Sequence, residues 1–167
     1  MKICRDKTVP AYFIPIIRER IHFPDIEYAG MLDDTTGYIL QSGFTEGVAQ
    51  QLKSRFLALK DQGMRRLILD LRGNGGGLMS EAVNIISLFV PKGTLVVTAK
   101  GNAPESIREY KTSTDPIDTQ IPIIVMIDSG SASSSEIVAG ALQDLDRAVI
   151  VMPVRNGHDV RVYRRER

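Results

Sequence analysis

The chain has 167 residues, of which 43% are hydrophobic and 25% charged, a length and balance that suit one globular domain and exclude a disordered tail. Lys plus Arg number 21 against 20 Asp plus Glu, so the net charge of +1 offers no global field for nucleic acid or an anionic membrane. No apolar run reaches the ~18 residues of a transmembrane helix.

In chain order, residues 1–30 are interrupted by Pro10, Pro15 and Pro24 and read as short extended pieces or a lead-in linker. Ala11 to Ile17 is apolar but has no small-residue cleavage pattern, so it is not a convincing signal peptide. Cys4 is the only cysteine, which rules out an intrachain disulfide. With only two histidines besides, a Cys/His zinc site is not expected, nor is any other metal or cofactor.

Gly37 to Leu40 predicts a strand, and Val48, Leu52, Phe56 and Leu59 recur at helical spacing until Gly63. Leu67 to Leu71 predicts a buried strand that runs straight into Arg72-Gly73-Asn74-Gly75-Gly76-Gly77. Ser80 is placed to cap the next helix, which runs through Phe89 to Pro91. Thr94 to Ala99 predicts a strand, and residues 101–120 read as a polar surface connection. Ile121 to Ile127 resumes a buried strand, Ser131 to Glu136 opens a helix reaching Leu145, and Ala148 to Val151 predicts one more strand. Strands alternating with helices give an α/β layered domain.

Two buried strands thus end in loops that open helices, and both loops carry chemistry. The glycine loop presents backbone N–H groups without side-chain obstruction. A dinucleotide site fits it poorly, because Gly73-Asn74-Gly75-Gly76-Gly77-Leu78 lacks the last glycine of G-x-G-x-x-G, and Gly-Lys-Ser/Thr is absent. An oxyanion hole and a plain tight turn remain open. In the second loop, Ser131, Ser133, Ser134 and Ser135 crowd a strand-to-helix junction, where a serine is either a cap or an exposed nucleophile.

The stretches Leu69-Asp70-Leu71-Arg72-Gly73-Asn74-Gly75-Gly76-Gly77-Leu78, Gly130-Ser131-Ala132-Ser133-Ser134-Ser135-Glu136-Ile137 and Gly140-Ala141-Leu142-Gln143-Asp144 resemble the carboxyl-terminal processing (tail-specific) serine peptidases of family S41. Gly37-Tyr38-Ile39 resembles that family's first core strand, and Arg20 to Ile26 the segment leaving its peptide-binding PDZ domain. The resemblance covers residues 18–151 and divides the chain into a lead-in segment, 1–30, with the end of a PDZ domain, a peptidase core, 31–151, and a basic tail, 152–167. It implies a ClpP/crotonase-like layered α/β core of repeated strand-strand-helix units. It further implies a serine–lysine dyad that cleaves protein substrates through their C-terminal tails, in the bacterial cell envelope or periplasm.

Carried over by motif, the nucleophile is Ser133. Glu136 either assists it or is a helix-surface charge. Gly75, Gly76 and the amide of Ser134 are the oxyanion donors, while Asp70 and Arg72 shape the loop. The general-base lysine is expected 25 residues beyond the nucleophile, where this chain has His158, and no lysine follows Lys111. Three readings follow: His158 replaces the base, the chain is an inactive peptide-binding or scaffold homologue, or the end is abnormal for the family. The last is favoured, because five Arg crowd residues 155–167 where the resemblance stops. A core cut at both ends would expose a strand edge or an apolar face, so a homo-oligomer is expected.

Overall fold

The computed structural model describes residues 24–100, 107–153 and the backbone of 160–163. Its main sheet has six strands in the order β1-β2-β3-β6-β7-β8: β1 Ile26–Met31, β2 Thr36–Gln41, β3 Arg66–Asp70, β6 Ile123–Met126, β7 Val149–Pro153 and β8 Val160–Tyr163. The four inner strands β2, β3, β6 and β7 run parallel, and the two edge strands pair antiparallel. Parallel neighbours need crossovers, which helices supply. These are α1 Val48–Asp61, α2 Met79–Ser87 and α3 Ser134–Asp144. A separate hairpin joins β4 Leu95–Ala99 to β5 Arg108–Lys111. The architecture is α/β, as the alternation of elements predicts.

Period-two alternation decides which side of the sheet the helices cover. Ile39, Leu69, Val125 and Ile150 lie in register across the inner strands and are fully or almost fully buried. They form one core with Val48, Leu52 and Phe56 of α1, Ala82, Ile85 and Ile86 of α2, and Val138 and Leu142 of α3. Phe56 meets Phe89 edge to face at 5.4 Å between ring centres. Arg147 closes the far end of this core: its guanidinium donates to the backbone carbonyls of Phe89, Ile121 and Asp118 and lies over the Phe89 ring. Burial pulls Arg147 below its usual arginine range, with Asp118 acting in the opposite direction.

Four expectations about the elements change. Ser80 does not cap α2: the helix starts at Met79 with Leu78 as its cap residue, because the Leu78 N–H is held by the Phe44 carbonyl at 2.8 Å. Residues 101–120 are not only a surface connection, since β5 pairs with β4 and Thr112 is buried, its hydroxyl on the Pro91 carbonyl. The boundary at residue 31 runs through β1, whose register with β2 begins at Ile26. Residues 152–153 belong to β7, and residues 160–163 pair with it as β8.

Candidate active site

The two loops singled out by their composition lie against each other at the ends of the adjacent parallel strands β3 and β6. Topology does this: each strand delivers its loop to the same end of the sheet, where ligands of open α/β folds gather. Three of the four serines staple the loops together. The Ser131 hydroxyl donates to the Leu71 carbonyl at 2.7 Å, Ser134 to Gly77 at 2.9 Å and Ser135 to Asn74 at 2.8 Å. Ser134 and Ser135 are fully buried, so these hydroxyls act as structural donors.

Ser133 is the exception. It is exposed and sits immediately before α3 with φ 55° and ψ −114°. An L-residue in this left-handed region costs on the order of 1–3 kcal/mol, and persists where its surroundings over-determine it. Ser133 stands with Glu136 as a capping box at the head of a helix whose first N–H groups lack intrahelical partners. The Glu136 carboxylate accepts the backbone N–H of Ser133 at 2.7 Å, and the Ser133 carbonyl accepts the Ile137 N–H at 3.0 Å. Glu136 therefore holds the main chain of the turn.

The glycine loop is braced from within by Asn74, which is fully buried. Its side-chain amide donates to the Gln41 carbonyl at 2.9 Å, its Oδ1 accepts the Gly76 N–H at 2.9 Å, and its carbonyl accepts Ala132 N–H and Ser135 Oγ. Gly76 thus spends its N–H inside the loop. Its own contribution is space: a Cβ there would lie 2.8 Å from the Cβ of Ser133 and 2.7 Å from the Ala132 carbonyl. Gly75 is exposed, with open space where a Cβ would be.

Two carboxylates pin the ends of the arrangement. Asp70, fully buried at the end of β3, accepts Nε and Nη2 of Arg72, the Tyr38 hydroxyl at 2.6 Å and the Arg72 N–H. Burial opposes its ionisation, but the Arg72 guanidinium and the Tyr38 hydroxyl outweigh it and hold Asp70 below the ordinary aspartate value. Asp128 accepts N–H groups from Gly73 at 2.8 Å and Gly130 at 2.9 Å, and the first of these leads in lowering its pKa.

The structure accordingly brings together Ser133, Glu136, Gly75, Gly76 and Ser134. His158 lies outside the described residues, as does most of the PDZ-like segment, residues 20–23. Asn74 and Asp128 were not singled out from the sequence. A polar residue amid glycines is the signal for the first, and an Asp opening a Ser-Gly turn for the second. Among the described residues, no group of three or more His, Cys, Asp or Glu is placed to hold a metal ion.

Comparison with known proteins agrees with this geometry. Residues 35–158 match the model of peptidase family S41. The chain is 35% identical over 121 residues to a chloroplastic C-terminal processing peptidase of Tetradesmus obliquus, covering 72% of this chain and 26% of that protein. It is 35% identical over 140 residues to a probable CtpA-like serine protease of Staphylococcus aureus, covering 82% and 27%. The chain thus spans about a quarter of the length of these relatives. Among solved structures, a photosystem II D1 C-terminal processing protease superposes with a TM-score of 0.61 at 36% identity, over 69% of this chain and 29% of that one. A putative S41 protease from Bacteroides fragilis shares the fold with a TM-score of 0.66 at 15% identity, over 98% and 54%.

Proposed function

The chain belongs to peptidase family S41, and from that premise we propose that it is the core of a serine endopeptidase cleaving proteins near their C-termini, with Ser133 as nucleophile. The observation that carries this reading is the strained, exposed turn of Ser133 locked against a glycine loop. A base takes the proton of the Ser133 hydroxyl as its oxygen attacks the scissile carbonyl. The N–H groups of Gly75 and Ser134 stabilise the resulting oxyanion at the positive end of α3. Collapse expels the amine, which takes up the proton, and water then releases the acyl group. Gly76, whose N–H Asn74 already holds, supplies close packing in place of a donor.

In the family's serine–lysine dyad the base is a lysine, and the motif position falls here on His158. We therefore expect slow or absent turnover. A neutral imidazole with an ordinary pKa of about 6.5 has suitable basicity if it reaches Ser133. The missing lysine also favours a second reading, an inactive homologue that retains peptides in the same cleft. Digestion of an unstructured protein by the chain and its Ser133→Ala, His158→Ala and His158→Lys variants tests both. Cleavage lost in both alanine variants makes His158 the base. Activity regained only in His158→Lys makes the chain a peptidase lacking its base. No cleavage by any variant, with no labelling of Ser133 by a fluorophosphonate, leaves the inactive homologue.

The same reading carries a PDZ-linked, cell-envelope setting and a homo-oligomer. Light scattering that finds only the 18.5 kDa monomer at every concentration removes the last.

A further inference from the structure

Ser135 is the second residue of α3, where alanine is the better helix former, and its side chain is fully buried. What the serine adds is one bond, from its hydroxyl to the Asn74 carbonyl at 2.8 Å. The Ala132 N–H reaches the same oxygen at 3.1 Å, so both lone pairs of that carbonyl are taken by the serine turn.

The Asn74 carbonyl and the Gly75 N–H belong to one peptide unit. That unit is planar and trans, so its C=O and N–H point in opposite directions. With the carbonyl drawn toward the buried Ser135, the Gly75 N–H is turned to the other side of the loop, where Gly75 is exposed. The following unit is fixed as well, because the Asn74 Oδ1 holds the Gly76 N–H at 2.9 Å. Gly75 therefore lies between two tethered peptide planes, and Gly76 beside it packs against Ser133. Gly75 itself, with no Cβ and open space around it, offers little resistance to a flip of the Asn74–Gly75 unit.

We propose that Ser135 is a positioning residue for the reaction: through the Asn74 carbonyl it aims the Gly75 N–H at the site where the oxyanion forms. This rests on the reading of Ser133 as nucleophile and Gly75 as oxyanion donor. A donor aimed in advance is worth more than one that swings into place as charge develops, because no reorganisation is left to the moment of reaction. The Ser131 hydroxyl, on the Leu71 carbonyl at 2.7 Å, joins the same two loops without touching that peptide unit and serves as the control.

The full chain and its Ser135→Ala and Ser131→Ala variants are labelled with a small fluorophosphonate over a range of concentrations, where circular dichroism and urea unfolding show each to be folded. Removing an oxyanion donor outright costs about 10²–10³ in rate, so loosening its aim in Ser135→Ala should lower the maximal labelling rate at least ~10-fold, with the half-saturating concentration unchanged. Ser131→Ala should lower the maximal rate less than ~3-fold, even where it lowers the urea midpoint as much. No fall in Ser135→Ala, equal falls in the two variants, or a change in the half-saturating concentration alone overturns the proposal and leaves Ser133 as nucleophile. An unlabelled parent sinks the Ser133 reading and the proposal with it. Amide exchange in the parent, followed by heteronuclear NMR, needs no variant: the Gly75 N–H should be at least ~100-fold less protected than the Ala132 N–H. Equal protection of the two means that the peptide unit is not turned this way, and it overturns the proposal whether or not the variants fold.

Discussion

Gly76 and Ser133 occupy each other's van der Waals space so fully that a Cβ on the glycine would lie 2.8 Å from the Cβ of the serine. The glycine also holds φ at 94°, where an L side chain is strained. Gly76→Ala therefore displaces the Ser133 turn or strains the loop, at a cost of about 1–3 kcal/mol. Gly75→Ala meets open space and should cost under about 1 kcal/mol. Urea unfolding of the two variants measures the contrast, and equal losses would remove the packing argument. Labelling of Ser133 should fall at least about tenfold in Gly76→Ala.

Asn74 joins β2, the glycine loop and the serine turn through one side chain and one carbonyl. Asn74→Ala leaves the Gly76 N–H and the Gln41 carbonyl without that partner in a buried setting. Each unsatisfied group costs about 1–3 kcal/mol, so a loss of about 2–6 kcal/mol is expected. Because the loop that should hold the oxyanion is braced by the same amide, labelling of Ser133 should also fall in conditions where the variant is fully folded. Unchanged labelling in a destabilised variant would make Asn74 a purely structural residue.

Much of this arrangement was legible in the sequence, and the parts that were not share a cause. The buried strand β3 and the helix α1 follow from Leu67 to Leu71 and from Val48, Leu52, Phe56 and Leu59, because apolar periodicity records burial. The glycine loop and the serine cluster followed from residue type at a strand end, and the family resemblance alone picked Ser133 out of the cluster. Strand β5 was hidden because Arg108 to Lys111 is polar and mostly exposed, with no apolar alternation to mark it. The roles of the serines were illegible for another reason. Ser131, Ser134 and Ser135 bond to carbonyls some 60 residues earlier in the chain, and no local pattern separates them from Ser133. The same holds for Gly75 and Gly76: the Asn74 side chain takes the N–H of the second, and only there would a Cβ meet the Ser133 turn.

The Tyr38 hydroxyl donates to the buried Asp70 carboxylate, and its removal should be felt through pH. Asp70 is held below its ordinary value, so its contribution to stability is present above an unfolded pKa of about 3.9 and is lost as pH falls through the lower folded value. Tyr38→Phe removes one of the groups that depress this pKa. The variant should lose about 1.5 kcal/mol at pH 7, the scale of a hydrogen bond to a charged group. The difference from the parent should shrink below about pH 4 as Asp70 is protonated in both. A deficit that is constant from pH 7 to pH 3 would mean that the hydroxyl does not act through the ionised carboxylate.

The backbone of Ser133 makes the final prediction, which opposes stability to chemistry at one residue. With φ at 55° and ψ at −114°, the residue stands where glycine is at ease and alanine is as strained as serine. Replacing the side chain removes the nucleophile in either case, so Ser133→Ala and Ser133→Gly should both abolish labelling. They should differ in folding. Ser133→Gly releases backbone strain of about 1–3 kcal/mol, while the flexibility of glycine in the unfolded chain takes back roughly 0.5–1 kcal/mol. The glycine variant should therefore unfold at higher urea than the alanine variant, by about 1 kcal/mol. An ordinary cap residue in relaxed geometry would not behave this way, since glycine there is no improvement on serine. If the two variants unfold together, the turn stores no strain, and the observation on which the nucleophile assignment of Ser133 rests is lost.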